Sequence, residues 1–381
     1  MTPPPLALYV HIPWCVRKCP YCDFNSHQPD AGISSIPEDQ YTQALIDDLL
    51  QEVDSAQGRT ISSIFFGGGT PSLFKPSSFD RLLTQIDNHI GIDSNAEITL
   101  EANPGTAEQE KFSGFRQAGI NRLSIGIQSF NEQQLNRLGR IHSATESLSA
   151  ITMARRAGFD NINLDLMHGL PQQTSDDAKQ DLITAINCQP EHISWYQLTI
   201  ETNTEFYNNP PTLPIEDELA DIQFAGEQLL NDHGFQQYEV SAYAQPDRRS
   251  QHNLNYWRFG DYLGIGAGAH SKITQANSSQ ILRRQKTRLP QHYLDSTKDF
   301  CSQSSAIKVE DLSLEFMMNA LRLNDGINTE LFISRTGLPI SVIADILSKL
   351  QQQQLLTTDT GLIRTTNRGR RYLNDVLAAF T

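Results

Sequence analysis

Residues 11–24 read His11-Ile-Pro-Trp-Cys15-Val-Arg-Lys-Cys19-Pro-Tyr-Cys22-Asp-Phe24. Three cysteines at x3 and x2 spacing, on a loop leaving an apolar run, form a chelating set. Thiolates hold the irons of a cubane cluster, and a closed cluster takes four of them. With three, the fourth iron stays open to a small ligand. A structural zinc site, with His11 or His27 as fourth ligand, is the plainer alternative. Zinc sites usually draw on a second close pair of ligands, and neither Cys188 nor Cys301 belongs to one. The x3, x2 spacing therefore favours a [4Fe–4S] cluster held by Cys15, Cys19 and Cys22, and the other two cysteines read as small buried residues.

Outward from this loop, the chain alternates short apolar strands with helical stretches. Strands are expected at 6–12, 61–66, 96–101, 122–127, 161–167 and 192–198. Helices are expected at 39–53, 79–90, 108–118, 132–138, 143–157 and 176–186. Such alternation builds right-handed βαβ units and a parallel sheet, here a partial or closed six-unit barrel. Polar or glycine-rich motifs follow the strands: the cysteine loop, Gly67-Gly68-Gly69-Thr70, Glu101, Gln128 and Asp165. Ligands bind at the carboxyl ends of parallel strands, so five strand ends carrying chemistry at one edge outweigh any one of them. Glycines let a backbone approach a ligand closely, although a glycine run alone is usually a turn. Glu101 offers a carboxylate to an ammonium or to ribose hydroxyls, and Gln128 can both donate and accept. Arg140 can grip a carboxylate. Taken singly, each of these is an ordinary surface or structural residue.

The pattern changes after residue 200. A helix is expected at 217–232 and a strand at 237–243. Residues 250–271, rich in Gly, Asn and aromatics, read as a loop, and the basic stretch 281–292 reads as a linker or lid. Helices at 311–321, 329–336 and 340–353, a two-stranded wing at 355–363 and a last helix at 367–380 make a winged-helix layout. Three regions result: a core at 1–240, an extension and linker at 241–306, and a helical domain at 307–381. The last contains eight Lys/Arg and eight Asp/Glu, so it lacks the basic face of a DNA reader.

Composition narrows the function. A formal net charge of -14 argues against generic nucleic-acid binding and against attraction to an anionic membrane. The hydrophobic share of 38% is that of a soluble domain, and no apolar run reaches the ~20 residues of a membrane span. The proline-rich start, Met1–Leu6, does not read as a signal peptide. Exposed thiols and an oxygen-sensitive cluster suit a reducing cytoplasm.

These motifs together resemble the radical S-adenosylmethionine (SAM) superfamily, and within it the oxygen-independent coproporphyrinogen III oxidases and their haem-chaperone relatives. The resemblance implies a partial (β/α)6 barrel with extra strands and a winged-helix-like C-terminal domain. It implies that SAM sits on the open iron, where one electron from the cluster breaks the sulfonium–adenosyl bond. Tyr9, Gly68, Gly69, Thr70, Glu101, Gln128, Arg140 and Asp165 are the positions it marks for SAM. Two departures separate the chain from the oxidases: Phe24 stands where their pattern has a further Cys, and only fourteen residues precede Cys15. Both fit the haem-chaperone group, whose mark, His-Asn-x-x-Tyr-Trp, stands here as His252-Asn253-Leu-Asn-Tyr256-Trp257. Imidazole is a common axial ligand of haem iron, which makes His252 the candidate haem ligand and His270 a second one. The implied function is a cytoplasmic carrier that binds haem and delivers it to acceptor proteins, among them respiratory enzymes, with an electron donor serving the cluster. The rival is oxidative decarboxylation of coproporphyrinogen III.

Overall fold

The computed structural model describes residues 3–29, 32–278 and 280–381, with the side chains of 106 and 107 excepted. Met1 and Thr2, the first residues of the proline-rich start, lie outside them.

The amino-terminal two-thirds runs β1 (Leu6–Ile12), α1 (Glu38–Glu52), β2 (Ile61–Gly68), α2 (Pro76–His89), β3 (Ile92–Ala102), α3 (Thr106–Gln109), α4 (Phe112–Gln117), β4 (Arg122–Gln128), α5 (Glu132–Arg137), α6 (Ala144–Arg156), β5 (Ile162–His168), α7 (Ser175–Asn187) and β6 (His192–Gln197). Local chemistry sets several of these limits. Ser143 caps α6 and Thr174 caps α7, each through a reciprocal box with the residue three places on, Glu146 and Asp177. Gly119, at φ +106°, turns the chain from α4 into β4. The strands are apolar on both faces, as parallel strands covered by helices must be: Leu8, Val10, Ile64, Phe66, Leu100, Leu123, Ile125, Leu164 and Ile193 are buried in one core.

The chain continues through α8 (Glu205–Asn208), α9 (Glu216–Asp232), β7 (Gln236–Glu239), β8 (Ala242–Ala244), α10 (Gln251–Trp257), β9 (Asp261–Ile265), β10 (His270–Gln275), β11 (Gln280–Lys286), α11 (Pro290–Tyr293) and β12 (Cys301–Ala306). Among the described residues the main sheet has twelve strands in the order β12-β11-β10-β9-β1-β2-β3-β4-β5-β6-β8-β7. Strands β1 to β6 and β9 are parallel. The sheet does not return on itself, so the architecture is the partial barrel and not the closed one.

Three expectations are corrected. Residues 250–271 are not a loop: α10, β9 and the start of β10 lie there. Residues 281–292 are not a linker or lid, because β11 pairs with both β10 and β12. The single strand expected at 237–243 is a hairpin of β7 and β8.

The carboxyl-terminal region contains α12 (Leu312–Ala320), β13 (Ile327–Asn328), α13 (Thr329–Thr336), α14 (Ala344–Gln352), β14 (Leu362–Ile363), α15 (Asn367–Arg371) and α16 (Leu373–Ala378). Here β14 pairs with β13, and Leu356 bridges to Thr365. The expected wing at 355–363 is thus completed by residues 327–328, and the expected last helix is two short ones. This region shares a second apolar core with β7, β8 and α10, through Tyr238, Ala242, Leu254, Phe316 and Phe332.

Candidate functional site

The cysteine loop leaves β1 and is closed by its own backbone. Cys15 N–H donates to His27 O at 3.0 Å, and His27 N–H to Pro13 O at 2.6 Å. Beyond β2, Gly69 N–H reaches Ile12 O and Thr70 N–H reaches Trp14 O, at 2.8 and 2.7 Å. This extension carries Thr70 to the loop. The glycines are needed for it: a Cβ on Gly69 would lie 2.5 Å from the Trp14 carbonyl oxygen, and one on Gly68 (φ +116°) would lie 2.6 Å from the His11 ring. Their first use is therefore close approach of the chain to itself.

Each of the three sulfurs has a polar neighbour. Thr70 Oγ1 donates to Cys15 Sγ at 3.5 Å, Arg140 Nη1 to Cys19 Sγ at 3.6 Å, and Ser26 Oγ lies 3.8 Å from Cys22 Sγ. Such contacts stabilise thiolate charge at a metal site. Burial works the other way and pushes the Cys15 thiol up to about 11 and the Cys22 thiol up as well. These thiols give up their protons to metal, so loading releases protons. Among the described residues no three His, Cys, Asp or Glu side chains converge as ligands of one metal ion. A cubane asks for something different, with each thiolate on a separate iron. A half-buried, hydrogen-bonded trio of sulfurs on one loop fits that demand. Of the aromatics on the loop, Trp14 packs on Tyr41 and Phe74 and Tyr21 on Phe206, but Phe24 is 64% exposed and shields nothing.

The strand ends meet beside this loop. Tyr9 Oη and His11 Nδ1 share a hydrogen bond of 3.0 Å, while His11 Nε2–H donates to Asn25 O at 2.9 Å. That pairing assigns the proton of a neutral imidazole to Nε2, in keeping with burial, which lowers the His11 pKa to about 4. Glu101 Oε2 accepts the Gly68 N–H at 3.2 Å. Among the described residues no Lys or Arg pairs with Glu101, and burial together with the nearby Asp165 raises its pKa to about 8. Asp165 accepts from Ser124 Oγ and Asn163 Nδ2, both at 2.8 Å, and burial raises its pKa too. Two half-buried carboxyl groups, neither in an ion pair among the described residues, make a chamber that attracts a cationic ligand. Gln128 turns into it from a left-handed backbone, φ +69°, and accepts from Tyr196 Oη at 2.7 Å. Arg140 spans the opening: Nη2 donates to Asn103 Oδ1 at 2.7 Å and to Gly126 O at 2.8 Å. A cleft lined by Val16, Arg17, Cys19, Asn103, Arg140 and His142 opens there. Of the eight positions marked from the sequence, Gly68, Gly69, Thr70, Glu101 and Gln128 lie at the ends of β2, β3 and β4, Tyr9 and Asp165 lie within β1 and β5, and Arg140 comes from the segment between α5 and α6.

Comparison with known proteins sets this site in its family. The radical SAM superfamily matches residues 9–184, and the HemN C-terminal domain matches residues 307–372. The chain is 49% identical over 381 residues to the haem chaperone HemW of Haemophilus influenzae, covering 99% of this chain and 98% of that protein. With the haem chaperone HemW of Escherichia coli the identity is 48% over 382 residues, with the same coverage. The chain belongs to the HemW family of radical SAM proteins. Among solved structures, the radical SAM enzyme coproporphyrinogen III oxidase (HemN) of Escherichia coli superposes with a TM-score of 0.83, over 99% of this chain and 90% of that one. At 23% identity this likeness concerns the fold alone.

In this HemW-family chain His252, the candidate haem ligand, lies in the core. It is 1% exposed on α10. Its Nδ1 is bonded to Ser63 Oγ at 3.1 Å and its Nε2 to Tyr256 Oη at 3.2 Å, while the ring stacks on Phe65. The spacing from 252 to 256 is one helical turn, which brings imidazole and phenol together. Burial lowers its pKa to about 3. Both nitrogens are hydrogen-bonded inside the fold. His270, the second candidate, is exposed.

Asn103, Tyr196 and Ser26, which the sequence did not mark, are hydrogen-bonded to the marked residues, and His11, raised only as a zinc ligand, bonds Tyr9. Asn103 follows a strand end, like the residues that were chosen, so position alone could have raised it. Tyr196 gave no signal before its strand was placed beside β5.

Proposed function

We propose that this protein is a haem carrier on a radical SAM scaffold, which binds haem and passes it to acceptor proteins. Near 49% identity to a haem chaperone from end to end, including the region that follows the SAM-binding core, carries this reading. Cys15, Cys19 and Cys22 hold the [4Fe–4S] cluster. Tyr9, Gly68, Gly69, Thr70, Glu101, Gln128, Arg140 and Asp165 take SAM. When bound, the cluster and SAM together supply one-electron chemistry.

The chain's own residues prepare for that ligand. Glu101 and Asp165 receive positive charge, and Arg140 holds Asn103 and the mouth of the chamber. Tyr196 fixes the Gln128 amide so that its NH2 faces inward. Among the described residues no helix is long and apolar enough to cross a membrane. A cytoplasmic carrier handing haem to respiratory enzymes, with an electron donor for the cluster, is the proposed setting.

The test is anaerobic reconstitution followed by two assays. Haem transfer from the loaded protein to an apo-cytochrome is expected. Incubation with coproporphyrinogen III, SAM and reductant is expected to leave the substrate intact. Robust formation of protoporphyrinogen would overturn the carrier reading in favour of the oxidase.

A further inference from the structure

Asp165 is held at the carboxyl-lined chamber by a chain of hydrogen bonds that crosses the sheet from β4 to β7. Ser124 Oγ on β4 and Asn163 Nδ2 on β5 each donate to its carboxylate at 2.8 Å, and Asn163 Nδ2 also donates to Ser124 Oγ at 2.7 Å. Asn163 Oδ1 faces β6, where His192 Nδ1 lies 2.6 Å from it and Ser194 Oγ donates to it at 3.1 Å. His192 Nε2 in turn lies 2.9 Å from Tyr238 Oη on β7. Tyr238 Oη accepts, at 3.3 Å, the N–H of Ser250, the residue that caps α10. Asn163, His192, Tyr238 and Ser250 are all buried.

The donors in this chain all point the same way. An amide oxygen only accepts, so His192 carries its proton on Nδ1. Burial, with Arg122 nearby, keeps the ring neutral by lowering its pKa well below the ordinary value. Nε2 is then an acceptor and takes the Tyr238 hydroxyl proton, which the Ser250 N–H turns towards it. Each donor therefore leads on to Asp165. The reverse arrangement is costly. With the Asn163 amide turned over, its oxygen would face the Asp165 carboxylate, two acceptors with no proton between them. His192 protonated on Nδ1 rules that out, because the amide NH2 would then meet an N–H. The bonds from Ser124 and Asn163 oppose the effect of burial on Asp165 and favour its charged form. Hydrogen bonds in series also polarise one another.

We propose that His192 is a positioning residue for the SAM site: it fixes the Asn163 amide, and through it the Asp165 carboxylate that receives the ligand. This rests on the SAM-binding reading of the chamber. His192 acts through Asn163 and not on the ligand itself. The relay starts at Ser250 and Tyr238, and Tyr238 belongs to the second apolar core, so packing around the carboxyl-terminal region helps to set a SAM-binding group.

The experiment is a calorimetric SAM titration of the full-length, anaerobically reconstituted protein, joined to electron paramagnetic resonance of the reduced cluster. In wild type SAM binds and shifts the cluster resonances. His192→Leu removes the donor and weakens SAM about three- to tenfold, with iron and sulfide content unchanged. His192→Asn returns an NH2 donor close to the Nδ1 position and restores most of the affinity, although a smaller polar side chain in that buried place melts lower than leucine. Affinity then follows the donor and not stability. Tyr238→Phe keeps the ring packing, frees the other imidazole tautomer and weakens SAM about two- to threefold. Wild-type affinity in His192→Leu, or equal losses in His192→Leu and His192→Asn, overturns the positioning role and leaves the SAM reading intact. Should His192→Leu lose its cluster, Tyr238→Phe decides in its place, and wild-type affinity there overturns the role. A wild-type cluster whose resonances do not respond to SAM overturns the reading of the chamber itself.

Discussion

Arg140 donates to the side-chain oxygen of Asn103 at 2.7 Å, and this contact completes a bridge between the thiols of Cys15 and Cys19. Asn103 in turn donates to Thr70 at 2.9 Å, Thr70 to Cys15, and Arg140 to Cys19. One amide therefore links two sulfur partners, Thr70 just after β2 and Arg140 between α5 and α6. Asn103→Ala cuts the bridge and leaves Thr70 and Arg140 each short of one partner, at a cost of about 1–3 kcal/mol. The variant is expected to take up iron and sulfide yet show altered cluster resonances and weaker SAM binding. Electron paramagnetic resonance of the reduced cluster, titrated with SAM, checks this. Resonances and affinity equal to wild type would refute it.

Glu101 gives the site a pH signature. Its folded pKa is about 8, above the ordinary carboxyl value of 4.5, because burial and Asp165 disfavour the charge. In the ligand-free protein this costs stability as pH rises from 4.5 towards 8, since the unfolded chain has already lost that proton. A cationic ligand reverses the preference and expels the proton. SAM affinity should therefore rise with pH up to about 8 and then level off, with proton release near neutrality. Calorimetry in buffers of different ionisation enthalpy measures the release, and Glu101→Gln should abolish it.

The glycine run tolerates no side chain. Gly68→Ala must place a Cβ 2.6 Å from the His11 ring at φ +116°, and Gly69→Ala 2.5 Å from the Trp14 carbonyl. At Gly68 the backbone strain costs about 1–3 kcal/mol and the clash adds to it; at Gly69 the clash acts alone. Both variants should lower the melting temperature and fail to retain the cluster, as iron analysis after desalting would show.

A buried ion cluster fastens the outer strands to the barrel. Lys286 on β11 is 1% exposed and pairs with Asp48 and Glu52 of α1, while Tyr293 Oη donates to Asp48 at 2.7 Å. Removing one partner of a buried pair costs about 3–5 kcal/mol, because the other charge stays buried. Lys286→Met should destabilise the protein by that order and make β10 to β12 sensitive to limited proteolysis. Asp48→Asn in the same chain should recover part of the loss.

The six core strands were legible because each is a short apolar run, four of them ended by Gly, Pro or Asn. Their boundaries moved by only a few residues, and β1 not at all. Residues 250–271 were misread because their glycines look like loop. In the fold they permit close packing: a Cβ on Gly264 would lie 2.0 Å from the His270 carbonyl oxygen, and one on Gly266 2.3 Å from that of His11. Arg284 and Lys286 looked solvated because their acidic partner Glu52 lies some 230 positions away.

The sequence by itself determined the chelating trio, the order of strands and the edge at which chemistry collects, since cysteine spacing and hydrophobic alternation are local properties. Tertiary structure alone decided which polar residues face a ligand. It buried His252 against Ser63 and Phe65, left His270 exposed, and placed Asn103 between Thr70 and Arg140. Those outcomes depend on contacts across tens to hundreds of residues, and burial and hydrogen-bond partnership are not properties of a residue's neighbours in the chain.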